Sequence, residues 1–157
     1  QVKMAQELVD VKELVLHCQE IFAVHAAEKL VDLKTNIEPL APVVGDADRL
    51  EDVFCNLIDN AIKNTPAGGT VNIIGLNNSN VAVEITVADS GPGIPPEQLP
   101  FLFKRFYQAS GLRSGFGLGL AIARETVLVH KGKIEVLSNP GEGARFIVTL
   151  PVGVTKR

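Results

Sequence analysis

Cysteine is scarce in this sequence, with only Cys18 and Cys55 among 157 residues. The two lie far apart and form no Cys-x-x-Cys spacing, which favours buried thiols over a disulfide or zinc framework. Such cross-links are not needed, because a chain of this length can bury roughly two-thirds of its unfolded surface in one domain. We therefore expect a single domain over 1–157 that is stabilised by its core alone.

Neither an excess of positive charge nor a long apolar run is present. Lysine and arginine number 15 against 18 aspartates and glutamates, and a net charge of −3 offers no electrostatic basis for binding nucleic acid. No stretch approaches the ~18 apolar residues that cross a bilayer, and no signal peptide opens the chain. We expect a cytoplasmic fragment without direct membrane insertion, excised from a longer protein that could itself be membrane-anchored.

Hydrophobic periodicity predicts three main helices and about five strands. Apolar residues recur every three or four positions over about 11–28, and again from a capping Asp46 or Asp48 to a break at 65–69. A third helix is expected over about 118–131. Alternating apolar residues predict the strands, at 31–37, 70–76, 81–89, 133–138 and 144–150. This order is typical of an α+β fold, a two-layer α/β sandwich in which helices cover one face of a mixed sheet.

The second predicted helix carries a polar stripe made of Asn56, Asn60 and Lys63. These residues stand at i, i+4 and i+7, so they lie on one face beside the apolar residues. Amide oxygens can bind Mg²⁺ and an ammonium group can pair with phosphate oxygens, which suits an anionic ligand held with a hard cation. Taken alone, the stripe leaves a solvated helix face open as the alternative.

A second motif, Asp89-Ser90-Gly91-Pro92-Gly93, closes an otherwise apolar strand. A carboxylate at a strand end can accept a hydrogen bond from an exocyclic amine, and glycines let a flat ring approach the backbone. The same residue types also favour an ordinary turn, so the motif by itself leaves both interpretations open.

The third motif is the segment 115–120, Gly-Phe-Gly-Leu-Gly-Leu, at the start of the third helix. Small residues at a helix start expose backbone N–H groups that can bind phosphate. No Gly-Lys-Ser/Thr follows, so the segment is not a P-loop, and it lacks the sixth-position glycine of the dinucleotide fingerprint. Taken alone, it does not define a phosphate site.

In order and spacing, the three motifs together resemble the N, G1 and G2 boxes of the histidine kinase catalytic domain. Residues 102–107, Leu-Phe-Lys-Arg-Phe-Tyr, look like the F box of that family, which belongs to a wider group holding DNA gyrase, heat-shock chaperone and mismatch-repair ATPases. The resemblance covers about 9–151. It implies a Bergerat-fold sandwich with three main helices on one face of the sheet, ATP among the sheet-end loops, and a mobile ATP lid over about 101–116.

The resemblance also implies a role for each matching residue. Asn60, assisted by Asn56, would bind Mg²⁺ against the phosphates of ATP, and Lys63 would contact phosphate oxygens. Asp89 would accept a hydrogen bond from the adenine amino group. The adenine ring would lie against Gly91, Gly93 and Ile94, and the lid would be anchored by Phe103 and Phe106. The triphosphate would accept hydrogen bonds from the backbone N–H groups of Gly115, Gly117, Leu118, Gly119 and Leu120.

Asn56 also separates a kinase from a hydrolase in this comparison. ATP-hydrolysing relatives carry at that position a glutamate that activates water, whereas a carboxamide cannot act as a general base at neutral pH. A site without that base should hold ATP intact for another nucleophile. The expected activity is therefore that of a protein histidine kinase, and an ATP-hydrolysing chaperone or topoisomerase fragment is disfavoured.

The acceptor histidine is expected on another domain. In the family it is followed directly by an acidic residue, which is true of none of His17, His25 and His130. The implied partners are the dimerisation and histidine phosphotransfer domain of the same kinase, absent from this chain, and a response regulator downstream in two-component signal transduction. We expect the isolated fragment to be monomeric.

Several positions depart from the family pattern. Asn64 replaces a usual aromatic residue, Gln108 an arginine of many members, and Phe116 a small or polar residue, while the lid segment 109–114 is short. These departures keep an alternative function open, a non-catalytic ATP-sensing Bergerat module that signals to a partner through its lid.

Overall fold

The structure, a computed structural model, describes residues 4–104 and 119–153. Its elements follow the predicted order, with two short strands and a 3₁₀ helix added. In chain order they are β1 (Glu7–Val9), α1 (Val11–Glu28), β2 (Asp32–Ile37), β3 (Val43–Gly45), α2 (Ala47–Asn64), β4 (Thr70–Asn78), β5 (Ala82–Asp89), the 3₁₀ helix Pro96–Phe101, α3 (Gly119–Val129), β6 (Lys133–Ser138) and β7 (Ala144–Pro151).

The main sheet has five strands in the order β2-β4-β5-β7-β6. β2 pairs with β4 in parallel, and the other neighbours pair antiparallel. A parallel pair needs a long connection, and the chain between β2 and β4 includes α2. The helices contact one face of the sheet, where alternate residues of β5 and β7 are buried. The predicted α+β sandwich with a mixed five-stranded sheet is confirmed.

α2 lies between α1 and α3 and contacts the sheet through β5 and β4. Its predicted apolar residues are buried. Asp46 caps the first turn by accepting a hydrogen bond from the Arg49 N–H at 3.2 Å, which decides between the two predicted caps. After the last turn, the Thr65 hydroxyl donates to the Ala61 carbonyl at 2.7 Å and Pro66 prevents continuation. Both ends of the helix that carries the polar stripe are therefore defined by local chemistry.

β1 and β3 form a separate antiparallel ribbon, with Glu7 opposite Gly45 and Val9 opposite Val43. The sequence did not predict this ribbon, because three residues are too few to show a period of two. Gly45 lies against the ring of His130, which a Cβ at this position would contact directly. The ribbon thus brings the start of α2 next to the end of α3.

α3 ends at Val129, before the predicted end at about 131. Lys131 has a φ of 64°, and the Gly132 N–H returns to the Val127 carbonyl at 2.9 Å, which closes the helix. The predicted start at 118 lies outside the described residues. Within 4–104 and 119–153, no helix is both long and apolar enough to cross a membrane.

Candidate functional site

Asn60 is the most buried member of the polar stripe, with 6% of its surface exposed. Its Oδ1 atom is buried and has no hydrogen-bond partner among the residues that the structure describes. A buried carboxamide oxygen left without a partner costs about 1–3 kcal/mol, so native proteins rarely contain one without a reason. An oxygen-binding cation such as Mg²⁺ is a suitable partner, since it prefers oxygen ligands and keeps waters.

Asn56 lies one turn earlier and is half-buried. A Cβ built on Gly119 would lie 3.8 Å from Asn56 Oδ1, so the start of α3 faces the polar stripe of α2. The first N–H groups of a helix have no partner within the helix. The fold therefore brings two carboxamides next to a helix start that can bind anions.

Lys63 occupies the end of the stripe near the α2 C-terminus. Its Nζ lies 3.2 Å from Asp59 Oδ2, one turn earlier, and both side chains are about 30% exposed, at 30% and 31%. Asp59 shares the edge of the site with Lys63. The Lys63 ammonium group would therefore be shared between Asp59 and any phosphate oxygen that it contacts.

Asp89 ends β5 and is 8% exposed. Its Oδ1 accepts a hydrogen bond from the Gly91 N–H at 2.9 Å. Burial raises the pKa of the Asp89 carboxyl, while hydrogen bonds from the N–H groups of Gly91 and Ala144 lower it. A buried carboxylate with spare acceptor capacity at a strand end is suited to an amine donor of a ligand.

Gly91 and Gly93 are required by backbone contacts as well as by the expected ring approach. A Cβ on Gly91 would collide with the backbone carbonyl oxygen of Asn64. Gly93 has a φ of +83°, and its Cβ would lie 2.5 Å from the Asn139 carbonyl oxygen. The 89–93 turn is thus closely packed against the end of α2 on one side and the β6–β7 loop on the other.

Sequence reasoning missed the support that the β6–β7 loop gives to this turn. The Ser138 hydroxyl accepts a hydrogen bond from the Ile94 N–H at 2.8 Å and donates to the Gly143 carbonyl at 2.8 Å. Gly143 has a φ of +81° and lies directly against the Asp89 backbone carbonyl. The Asn-Pro-Gly run at 139–141 indicates a turn, but no local signal connects that turn to Asp89.

The F-box residues are described only in part. Phe103 packs edge-on against Phe146 of β7, with ring centroids 6.4 Å apart and planes at 85°. Leu120, near the start of α3, is half-buried against the core. The predicted lid beyond residue 104, with Phe106 and with Gly115, Gly117 and Leu118 of the third motif, lies outside the described residues.

The candidate site is organised by α2. Its middle faces Gly119 through Asn56, and its last residue, Asn64, contacts Gly91. Asn56 and Asn64 are eight residues apart on α2, which corresponds to about 12 Å along the helix axis. The start of α3 and the 89–93 turn therefore contact α2 at points separated by about that distance. An adenine-type donor at Asp89 and a metal-bound polyphosphate near Asn60 would occupy the two ends of such a site.

None of the three histidines belongs to this site. His130 is buried at the end of α3, where its Nε2 accepts a hydrogen bond from the Asp46 N–H at 3.0 Å and its Nδ1 lies 2.8 Å from the Thr126 carbonyl. His17 of α1 pairs with Glu51 of α2 at the exposed edge of the interface between the two helices. The site thus offers acceptors and backbone donors but no histidine nucleophile.

Comparison with known proteins agrees with this architecture. The model of the family described as histidine kinase-, DNA gyrase B- and HSP90-like ATPase matches residues 45–154. An adaptive-response sensory kinase, SasA, from Parasynechococcus marenigrum is 42% identical over 126 residues. That match covers 78% of this chain and 33% of the kinase, so the chain spans about a third of the length of the curated relatives it matches.

Solved structures give the same result. The mycobacterial sensor histidine kinase MprB is 31% identical with a TM-score of 0.85, covering 92% of this chain and 97% of that one. Full-length ShkA in complex with AMPPNP is 28% identical with a TM-score of 0.86, covering 99% of this chain and 33% of that one. ThkA in complex with the response regulator protein TrrA is 26% identical with a TM-score of 0.81, covering 96% of this chain and 42% of that one.

The fold and the sequence matches together define a class of ATPase domain with a helical layer on a mixed sheet. The chain belongs to the histidine kinase-, DNA gyrase B- and HSP90-like ATPase family, as a histidine kinase catalytic domain of two-component systems.

Proposed function

We propose that this chain binds Mg-ATP and donates the γ-phosphate to a histidine on the dimerisation domain of the same kinase. The observation that carries the proposal is the buried Oδ1 of Asn60, which has no hydrogen-bond partner among the described residues and lies on the helix that joins two features suited to the ends of ATP. On one side is the buried carboxylate of Asp89, and on the other is the start of α3 beside Asn56. The relative that was solved with AMPPNP supports a nucleotide as the ligand.

Each residue would act through one type of contact. Asp89 would accept the adenine amino group, and the backbone of Gly91, Gly93 and Ile94 would provide a wall for the ring. Lys63 would share its ammonium group between Asp59 and a phosphate oxygen. The helix-start N–H groups at Gly119 and Leu120 would donate to phosphate oxygens, joined by those of Gly115, Gly117 and Leu118.

Asn60 and Asn56 fit a magnesium site, because their neutral amide oxygens suit a hard cation that also keeps waters and phosphate ligands. When bound, Mg²⁺ would neutralise part of the phosphate charge that grows during transfer. The chain itself supplies positioning and hydrogen-bond donors, which make up most of the catalysis in phosphoryl transfer. Asn56 cannot act as a general base, because a carboxamide cannot take a proton from water.

The phosphate acceptor is proposed to lie outside this chain. His130 uses both ring nitrogens in hydrogen bonds that hold the fold together, and His17 lies beside Glu51, away from the polar stripe. A response regulator is the proposed recipient further downstream, by analogy with the relative solved in complex with one.

The test is incubation of the chain with Mg²⁺ and radiolabelled ATP, with and without the dimerisation domain of its own kinase. We expect acid-labile, base-stable label on that domain only, at a rate that rises with its concentration, because the two are not tethered. Label on the isolated chain, or rapid phosphate release without the domain, would contradict the proposal. Tight ATP binding with no transfer to the domain would instead support the non-catalytic sensor that the departures at Asn64, Gln108 and Phe116 keep open.

A further inference from the structure

Cys18 of α1 and Cys55 of α2 face each other across the helix interface. Their Sγ atoms lie 3.0 Å apart, and both are free thiols. Cys18 is fully buried and Cys55 is half-buried. The sequence favoured buried thiols over a disulfide or zinc framework, because 37 positions separate them and they form no Cys-x-x-Cys spacing. Only the packing of α1 against α2 makes them a pair.

One further metal-binding side chain, that of Glu51, converges on this thiol pair. Glu51 precedes Cys55 by one helical turn, so both lie on the same face of α2. One carboxylate oxygen of Glu51 and the two Sγ atoms all lie within 4.8 Å of one another. His17 Nδ1 lies 3.0 Å from Glu51 Oε2. The cluster, defined here as Cys18, Cys55 and Glu51, therefore combines two sulfurs and one oxygen, and the His17 imidazole contacts its carboxylate.

The charge and access of the cluster favour a cation. The charged groups that act on Cys55 include the carboxylates of Glu51, Asp52 and Asp59. A surface cavity of about 330 Å³, lined in part by His17 and Glu51, borders the Glu51 side of the cluster. A metal ion could enter from that side without disturbing the buried core around Cys18.

We propose that Cys18, Cys55 and Glu51 bind one Zn²⁺ ion, with water in the fourth position and His17 holding the Glu51 carboxylate. Zinc is borderline-soft and is held tetrahedrally by sulfur and oxygen ligands, with Zn–S distances of about 2.3 Å and Zn–O distances of about 2.0 Å. Tetrahedral angles at these lengths require the two sulfurs to stand roughly 3.8 Å apart. Side-chain rotation that widens the 3.0 Å separation is enough.

A disulfide between the two thiols explains less of the arrangement. It would use the two sulfurs alone and would give no role to the carboxylate and the imidazole that lie beside them. The zinc site is also separate in chemistry from the proposed magnesium site. Cys55 and Asn56 are neighbours in sequence, but successive helix residues point in directions about 100° apart, and thiolates do not suit Mg²⁺.

The experiment is a Zn²⁺ titration of the reduced, chelator-washed chain without nucleotide, in competition with a chromophoric chelator. We expect one Zn²⁺ per chain. Co²⁺ in its place should give the thiolate-to-metal charge-transfer absorption that only sulfur ligands produce. Cys55→Ser and Glu51→Gln should each weaken zinc binding at least tenfold, and His17→Ala should weaken it by about 10- to 100-fold.

Asp52→Asn is the matched control for Glu51→Gln, since it removes the same charge from an exposed position on the same helix. Because Asp52 acts on Cys55 only through its charge and is not a proposed ligand, Asp52→Asn should lower the zinc affinity far less than Glu51→Gln and should leave the cobalt absorption unchanged. Circular dichroism of each variant establishes that the fold persists. The proposal is overturned if the reduced wild-type chain takes up no zinc, if Cys55→Ser retains the cobalt absorption, or if Asp52→Asn weakens binding as much as Glu51→Gln. A chain that binds no zinc when reduced, and whose Cys18 and Cys55 form a disulfide on oxidation, would also overturn the proposal.

Discussion

The backbone of Gly91 lies directly against the carbonyl oxygen of Asn64, the last residue of α2. A Cβ at Gly91 would collide with that oxygen and would also approach Asp89 Oδ1 to 3.0 Å. This contact joins the helix that carries the polar stripe to the turn that carries the buried carboxylate. Backbone packing therefore holds the two ends of the proposed nucleotide site together without a bound ligand.

Gly91→Ala should disturb both stability and nucleotide binding. Because backbone atoms have to move to admit the methyl group, we expect a loss of about 1–3 kcal/mol in the free energy of unfolding, measured in urea. ATP affinity should fall with it, since Asp89 shifts. Gly119→Ala is the control for stability, because its Cβ would meet only an ordinary contact at 3.8 Å. Equal stability of Gly91→Ala and wild type would show that the contact is not close in solution.

Asp89→Ala should weaken ATP binding while leaving the fold intact. A hydrogen bond to a charged acceptor contributes about 1.5–3 kcal/mol, which corresponds to roughly one to two orders of magnitude in the dissociation constant. GTP presents a carbonyl oxygen where ATP presents the amine, so it should bind the wild-type chain poorly. Calorimetry with both nucleotides measures the two effects. Equal affinities for ATP and GTP in the wild type would rule out this role for Asp89.

Stability of the nucleotide-free chain should depend on pH through Asp89. Burial raises the pKa of this carboxyl above its ordinary value of 3.8. A group with a raised folded-state pKa contributes stability that is fully present below the unfolded pKa and is lost as the pH rises through the folded pKa. Asp89→Asn removes this dependence, so at about pH 7 it should be more stable than the wild type.

The advantage of Asp89→Asn should shrink as the pH is lowered to about 4, near the unfolded value. Thermal unfolding of both proteins across this range provides the measurement. Asp52→Asn, at an exposed position, serves as the control for charge alone. A variant that is less stable than the wild type at neutral pH would mean that hydrogen bonds to the Asp89 carboxylate outweigh its burial.

Asn60→Ala should separate nucleotide binding from phosphate transfer. The variant loses the only buried side-chain oxygen without a partner in the described part of the chain. We expect transfer to the dimerisation domain to be abolished and the increase of ATP affinity by Mg²⁺ to disappear, while adenine-dependent binding in the absence of Mg²⁺ persists. Binding titrations with and without Mg²⁺, alongside the transfer assay, test this. Transfer at the wild-type rate would disprove the magnesium role.

His130→Ala should destabilise the fold without changing the identity of the phosphate acceptor. The substitution leaves the Asp46 N–H without its present partner, removes the side-chain hydrogen bond to the Thr126 carbonyl, and opens a cavity between α2 and α3. We expect a loss of about 2–4 kcal/mol in the free energy of unfolding, against less than about 0.5 kcal/mol for the exposed His25→Ala. Denaturant unfolding compares them, and a similar cost for both variants would contradict the structural role of His130.

Much of the architecture follows from local sequence pattern. The periodicity of α1 and α2, the alternation in β5 and the break after Asn64 all act over a few residues, so their effects can be read without knowledge of the fold. The same is true of the order of the motifs around Asn60 and Asp89, which identified the family. Short-range steric and hydrophobic preferences are sufficient for these features.

Other features depend on contacts between distant segments. The ribbon of β1 with β3 and the support of Ile94 by Ser138 have no local signal strong enough to predict them. Spacing put Lys63 and Asp59 one turn apart, but whether they pair depends on what else surrounds the ammonium group.

The sequence by itself determined which segments fold into helices and strands, and which residue types could hold a nucleotide. Only the tertiary structure decided that Asn60 Oδ1 lies buried without a partner among the described residues and that Cys18 meets Cys55. The physical reason is that burial and side-chain proximity depend on how α2 packs between α1, α3 and the sheet. Residues far apart along the chain carry no local pattern that encodes such distances.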